Sequence, residues 1–291
     1  MNKLSLAYFG TPDFSARLLE KILDDKEIPV EVRLIVTQPD KKVGRKQIIT
    51  PSPVKVIANK YKIPVEDSTR SKKFISLSSA IDLALLFAFG EIIPKELLDE
   101  PKYGFWNIHP SLLPKYRGAS PVAYPLINGD KETGVTLIQM DEKVDHGPII
   151  IQKKVSILPK EKKDELTDRL TDIAFELFKQ KVSELAAEGK IDLQNQDESG
   201  VSYTKLLTKQ DGYVKIEELR TKNEEEAERL FNRFRGLYPW PGLWTEIEIN
   251  GEKKRLKITE MDLENGKLLL KKVQLEGKKE IDFEQFKKAY L

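Results

Sequence analysis

The sequence contains no cysteine, which removes disulfides, thiolate nucleophiles and the usual structural zinc sites in one step. Only two histidines occur in 291 residues, which leaves little to ligate a metal, and none is expected. No run of about 18 uninterrupted apolar residues is present, so a membrane span is not expected. The opening stretch Met1 to Gly10 lacks the long apolar core and small-residue cleavage site of an export signal, and a cytoplasmic address follows as the expectation. Charge of one sign is not in excess either: 49 Lys and Arg face 47 Asp and Glu, for a formal net charge of +2. Any affinity for phosphate must therefore come from local clusters.

What is present suffices for two domains of ordinary size, each with its own core. Leu4 to Phe9 is a short apolar run that ends at Gly10-Thr11-Pro12, after which Phe14, Leu18, Leu19, Ile22 and Leu23 recur at helical spacing. Thr11 is expected to be the N-cap and Pro12 the first helical residue. The turn holds a single glycine, so the dinucleotide fingerprint is absent and NAD is disfavoured. Further strands are expected at 30–37, 81–88, 104–109, 133–140 and 149–157, with helical or loop sequence between them. Such alternation implies an α/β domain with a mostly parallel, doubly wound sheet, whose ligands sit beyond the carboxyl ends of the strands. Leu166, Leu170, Ile173, Leu177, Phe178, Val182 and Leu185 mark a long amphipathic helix that closes this domain.

The polar stretch Gly189 to Gly200 reads as an exposed connection, so the division expected is 1–189, a linker over 190–205, and 206–291. After a helix near Glu224 to Phe234, short alternating runs are separated by Asn250-Gly251 and Asn265-Gly266. Asn-Gly between such runs is a strong hairpin signal. The second domain is expected to be predominantly β, a small barrel.

Both histidines, His109 and His146, fall in the segment from Asn107 to Gly147. Imidazole titrates near neutrality and suits proton traffic. Asn107 and His109 lie two apart at the expected end of a strand, so their side chains share a side. An amide and an imidazole that converge on a carbonyl oxygen form an oxyanion site for acyl transfer, with Asp145 to hold the imidazole or take a proton. The plainer alternative is that Asn107 ends a strand, His109 packs beneath a loop and Asp145 caps a turn. Ser111 lacks the nucleophile-elbow context, so direct attack by a substrate amine is simpler than a covalent acyl-enzyme. Separately, Lys41, Lys42, Arg45 and Lys46 crowd one loop that can grip phosphates or merely face solvent.

The runs Phe9-Gly-Thr-Pro-Asp-Phe14, Thr37-Gln-Pro-Asp40 with Gly44-Arg45, Pro51-Ser-Pro-Val-Lys55, Asn107-Ile-His-Pro-Ser-Leu-Leu-Pro114 and Tyr238-Pro-Trp-Pro-Gly242 together resemble the methionyl-tRNA formyltransferase family, in order along nearly the whole chain. The Asn-x-His-x-Ser-Leu-Leu-Pro run with a later Asp marks the wider class of 10-formyltetrahydrofolate-dependent formyltransferases. The resemblance implies a Rossmann-like catalytic domain followed by an OB-like barrel that helps hold tRNA. It implies Asn107, His109 and Asp145 as the catalytic trio. It also implies a folate pterin lying against Phe87, Phe89, Gly90 and Ile92, with Ser111, Leu112, Leu113, Pro114 and Asp141 around the donor. Lys41, Lys42, Arg45 and Lys46 would meet the acceptor stem of initiator methionyl-tRNA, with Arg45 the important contact.

The formyl donor would be 10-formyltetrahydrofolate, with no metal required, and a monomer is expected. A formyltransferase for a nucleotide-linked amino-sugar is the nearest rival, since it shares the trio but needs no acceptor-stem loop. Two departures from the family pattern stand out: Lys46-Gln47-Ile48 replaces a more basic run after Gly44-Arg45, and Asp145-His146-Gly147 replaces the commoner Asp-Thr-Gly.

Overall fold

The computed structural model describes residues 3–44, 46–67, 80–221 and 223–290. Two compact units emerge, interleaved in sequence. The first comprises residues 1–117, 134–154 and 168–202, and the second 118–133, 155–167 and 203–291.

Strands β1 (Leu4–Gly10), β2 (Val30–Val36), β5 (Val65–Glu66), β6 (Leu83–Phe87), β7 (Phe105–His109), β9 (Glu132–Gln139) and β10 (Ile149–Ser156) form one sheet in the order β10-β9-β7-β6-β1-β2-β5. The hairpin strands β3 (Lys41–Val43) and β4 (Ile48–Thr50) stand apart from it, as does the small ladder of β8 (Arg117–Gly118) with β11 (Tyr203–Thr204). The pairs β1·β2, β1·β6, β6·β7 and β2·β5 are parallel, and β7·β9 is antiparallel. The mostly parallel, helix-flanked sheet is thus the expected Rossmann-like architecture.

β1 is buried from Leu6 to Gly10 without alternation, because a parallel sheet is covered on both faces. Phe9 anchors one core cluster, with ring centroids 5.5 Å from Phe89 and 5.1 Å from Phe105. Each such aromatic contributes about 1.5–3 kcal/mol by leaving water. Gly10 is required by space, since a Cβ there would lie 1.9 Å from Ser15 Oγ. The helix that follows spans Asp13–Asp24, and its N-cap is Pro12 with no side-chain cap. Thr11 is therefore not the cap expected from sequence: its hydroxyl donates instead to the Phe89 carbonyl at 2.9 Å, which ties the β1 turn to the loop after β6. The long helix runs Lys163–Glu188 and buries Leu170, Phe178, Val182 and Leu185.

In the second unit, β12 (Leu243–Ile249), β13 (Glu252–Glu264), β14 (Lys267–Leu275) and β15 (Glu280–Asp282) form an antiparallel sheet in sequence order. The register pairs Ile249 with Glu252 and Glu264 with Lys267, so Asn250-Gly251 and Asn265-Gly266 are two-residue turns. All four turn residues have positive φ, between 49° and 79°, as the primed hairpin turns require. Phe231, Phe234 and Leu237 of the helix Glu224–Leu237 pack with Leu243, Ile258 and Met261. The result is the OB-like antiparallel region that sequence anticipated, here a four-stranded meander with a helix against it.

Candidate active site

Asn107 and His109 occupy the last turns of the pleat at the carboxyl end of β7, where they point to one side and are 7% and 4% exposed. Asp145 arrives from the loop between β9 and β10 with its side chain 12% exposed. Asn107 Nδ2 donates to Asp145 Oδ1 at 3.0 Å, and His109 Nδ1 stands 3.5 Å from Asp145 Oδ2. The three side chains that sequence reasoning singled out are thus within reach of one another. The carboxylate lies between the amide and the imidazole, not behind them, so both groups face Asp145.

The opposite ring nitrogen, His109 Nε2, is 2.9 Å from the Tyr116 carbonyl. A carbonyl only accepts, so Nε2 carries the proton and Nδ1 is the atom turned to the carboxylate. Tyr116 and Asp145 both hold left-handed backbone, with φ of 64° and 50°. Such conformations cost about 1–3 kcal/mol each and persist where surroundings over-determine them.

The Ser111-Leu112-Leu113-Pro114 segment is anchored by hydrogen bonds. Ser111, fully buried, donates its hydroxyl to the Lys115 carbonyl at 2.7 Å. Thr136 Oγ1 donates to the Ser111 carbonyl at 2.7 Å and accepts from the Leu113 amide at 3.2 Å. Gln152 Nε2 donates to Thr136 Oγ1 and to the Leu113 carbonyl. Leu113 is buried, Leu112 and Pro114 are half-buried, and the Leu113–Pro114 bond is cis.

Among the residues expected at the folate, Phe87 and Phe89 are core, 2% and 1% exposed, while Gly90 (φ 87°) and Ile92 open to solvent. Ile92 is 87% exposed, and Val144, beside Asp145, is 59% exposed. Asp141 Oδ2 binds His146 Nδ1 at 2.5 Å, so His146 is paired within its own loop.

Lys41 and Lys42 lie on β3 and Lys46 follows it, all exposed, in a hairpin that also exposes Val43, Ile48 and Ile49. Lys41 Nζ bonds Gln38 Oε1. Arg45 lies outside the described residues. On the second unit, several lysines and arginines that could have formed one cationic face are paired with acids: Lys254 with Glu252, Arg255 with Glu276, Lys271 with Glu264, and Lys272 with Glu260 and Glu280. Trp240 is half exposed. Trp244 packs against Tyr213 with ring centroids 4.9 Å apart and planes tilted by 56°, and donates Nε1 to the Lys209 carbonyl.

Residues 2–182 match the formyl transferase family model. A methionyl-tRNA formyltransferase of Geobacter metallireducens is 34% identical across 98% of this chain and 96% of its own length. Its counterpart from Dictyoglomus thermophilum is 37% identical across 99% and 97%. The chain belongs to the methionyl-tRNA formyltransferase family. Among solved structures, the N-formyltransferase of Helicobacter canadensis in complex with folinic acid and dTDP-3-aminofucose aligns with a TM-score of 0.64 over 91% of this chain and 89% of that one. At 22% identity that likeness speaks for the fold alone.

Sequence reasoning missed two residues that hold this family member's site together. Arg117, 1% exposed, donates Nε and Nη2 to Gln196 Oε1 at 3.2 and 2.7 Å and reaches Glu198 Oε1 at 2.7 Å. Gln196 Nε2 in turn donates to the carbonyls of Asp145 and Gly147 at 2.9 and 2.8 Å. The Arg117 contact holds the Glu198 carboxyl below the usual range. Gln196 sits in a stretch whose polar, aperiodic composition reads as a connection, and no local pattern marks it.

Proposed function

We propose that the protein transfers a formyl group from 10-formyltetrahydrofolate to the α-amine of methionyl initiator tRNA, with Asn107, His109 and Asp145 as the catalytic residues. The single observation that supports the chemistry is the contact of a carboxylate with both an amide and an imidazole at the carboxyl end of β7. The unprotonated amine attacks the formyl carbon directly. Asn107 keeps a second N–H free of the bond it makes to Asp145, and its amide meets the oxygen on which negative charge develops. His109, fixed by Tyr116, presents Nδ1 to the same oxygen when that nitrogen carries a proton. Asp145 accepts the proton that the amine loses as the new C–N bond forms. The bond from the formyl carbon to the donor nitrogen then breaks, and that nitrogen leaves with the proton that Asp145 returns to it.

The exposed Ile92, in the loop after β6, and the exposed Val144, next to Asp145 in the chain, offer apolar surface that suits the donor's flat ring system. The exposed β3–β4 hairpin, with Lys42 and Lys46, suits a phosphate backbone. The tRNA acceptor is preferred to an amino-sugar because the relatives at 34–37% identity over the full chain are named for methionyl-tRNA. Purified protein with labelled formyl donor should formylate charged initiator methionyl-tRNA and leave the elongator form and nucleotide-linked amino-sugars untouched. Transfer to the sugar in preference to the tRNA would reverse the assignment.

A further inference from the structure

Asp145 carries a left-handed backbone, φ 50°, one residue before His146 and two before Gly147. Left-handed geometry costs a residue with a Cβ about 1–2 kcal/mol, so something must keep the turn from relaxing. The Asp145 carbonyl and the Gly147 carbonyl converge, 2.9 and 2.8 Å away, on the one amide nitrogen of Gln196. Both are acceptors, and Gln196 can serve them only if its nitrogen faces the turn. Arg117 decides that orientation: a guanidinium donates and never accepts, so the atom it binds at 2.7 and 3.2 Å must be the amide oxygen. The fully buried guanidinium is in turn compensated by Glu198, whose Oε1 also lies 3.7 Å from His146 Nε2. The relay therefore runs from Arg117 through Gln196 to the turn that carries Asp145, with Glu198 and His146 closing it on the outer side.

We propose that Gln196 is a positioning residue for formyl transfer: locked by Arg117, it clamps the Asp145–Gly147 turn so that the Asp145 carboxylate stays between Asn107 and His109. This rests on the reading of Asp145 as catalytic. Gln196 meets the Asp145 loop only through the carbonyls of Asp145 and Gly147 among the contacts seen, so its loss displaces the carboxylate without removing a side chain of the trio. Productive geometry is steep in distance, and a displacement near 1 Å can cost about 100-fold in rate.

The test is a mutant cycle on the full chain with donor and charged initiator tRNA. Gln196→Glu keeps the acceptor that Arg117 binds but turns a carboxylate oxygen against the two carbonyls. It should lower kcat by about 10- to 100-fold while KM for both substrates stays within about threefold. Gln196→Ala should behave alike, with a far-ultraviolet spectrum unchanged in each case. The deciding measurement is Gln196→Glu in an Asp145→Asn background: a clamp that acts only through Asp145 has no further effect there. Equal losses with and without Asp145 would overturn the clamp and leave Gln196 a general structural residue. A Gln196→Glu protein of normal kcat, made alongside an inactive Asp145→Asn protein, would also overturn it. If Asp145→Asn itself turns over normally, the catalytic reading of Asp145 has failed, a separate result.

Discussion

Asp145 Oδ2 stands 3.5 Å from His109 Nδ1, while the far side of the imidazole gives its proton to the Tyr116 carbonyl. With Nε2 donating to that carbonyl, Nδ1 is the ring nitrogen that faces the carboxylate. In the reaction proposed above, Asp145 is the group that takes the proton from the attacking amine. Asp145→Asn preserves shape and the Asn107 neighbour but removes the proton acceptor. Turnover should fall by about 10²- to 10⁴-fold, with the unfolding temperature changed by no more than a few degrees. His109→Ala should lower it by orders of magnitude as well, and steady-state kinetics with a near-normal kcat for either variant would exclude the role assigned here.

The β3–β4 hairpin offers a different test, because its lysines are exposed and a phosphate bound by exposed lysines releases counterions. Removal of a phosphate contact reduces the slope of log affinity against log salt by about 0.7–0.9. Lys42→Ala and Lys46→Ala should each raise KM for charged tRNA and flatten its salt dependence by roughly that amount. Arg45→Ala should do so at least as strongly. KM for the formyl donor should not move. An unchanged salt slope in all three variants would place the tRNA contact elsewhere.

Much of this was legible in the sequence, and the exceptions have physical reasons. The Asn-Gly turns were readable because a primed hairpin turn demands positive φ at both positions and few residue pairs tolerate it. Asn107 and His109 were readable because the pleat has a period of two. Thr11 misled because a hydroxyl before a helix has a local acceptor role available, whereas here the Phe89 carbonyl, distant in sequence, takes it as donor. Arg117 and Gln196 were invisible for the same reason: they lie 79 positions apart, and no periodicity couples residues so far separated. Nor could composition show that residues 118–133 and 155–167 join the second compact unit, since that grouping is set by tertiary packing and not by chain order.

Gly147 separates space from flexibility. Its φ is not in the left-handed region, yet a Cβ there would lie 1.8 Å from the Gln139 carbonyl oxygen. Gly147→Ala must shift backbone at the residue that shares the Gln196 clamp with Asp145. A kcat loss on the order of 100-fold is expected from the displacement, along with a lower unfolding temperature. Gly200→Ala is the matched control, since its added methyl would meet only Pro114 Cγ at an ordinary 3.5 Å. Equal activity in the two variants would show that the β9–β10 loop absorbs the methyl without moving Asp145.

Asp211, in the second unit, carries a pH dependence whose sign follows from its partners. Lys205 first, then the Thr208 hydroxyl and amide, stabilise the ionised carboxylate and lower its pKa from 3.8 to about 2. A depressed folded-state value means that the unfolded chain takes up the proton first as pH falls. The stabilisation is therefore complete above about pH 4 and is lost between there and pH 2, as the pH drops through the folded value. Asp211→Asn should unfold at a lower temperature than the parent at neutral pH, and the difference should shrink progressively across that window. Because Lys205 is largely exposed, salt should erode part of the effect at neutral pH. Thermal unfolding curves that keep a constant gap from pH 7 to pH 2 would mean that the hydrogen bonds at Thr208, and not the charge, carry the contribution.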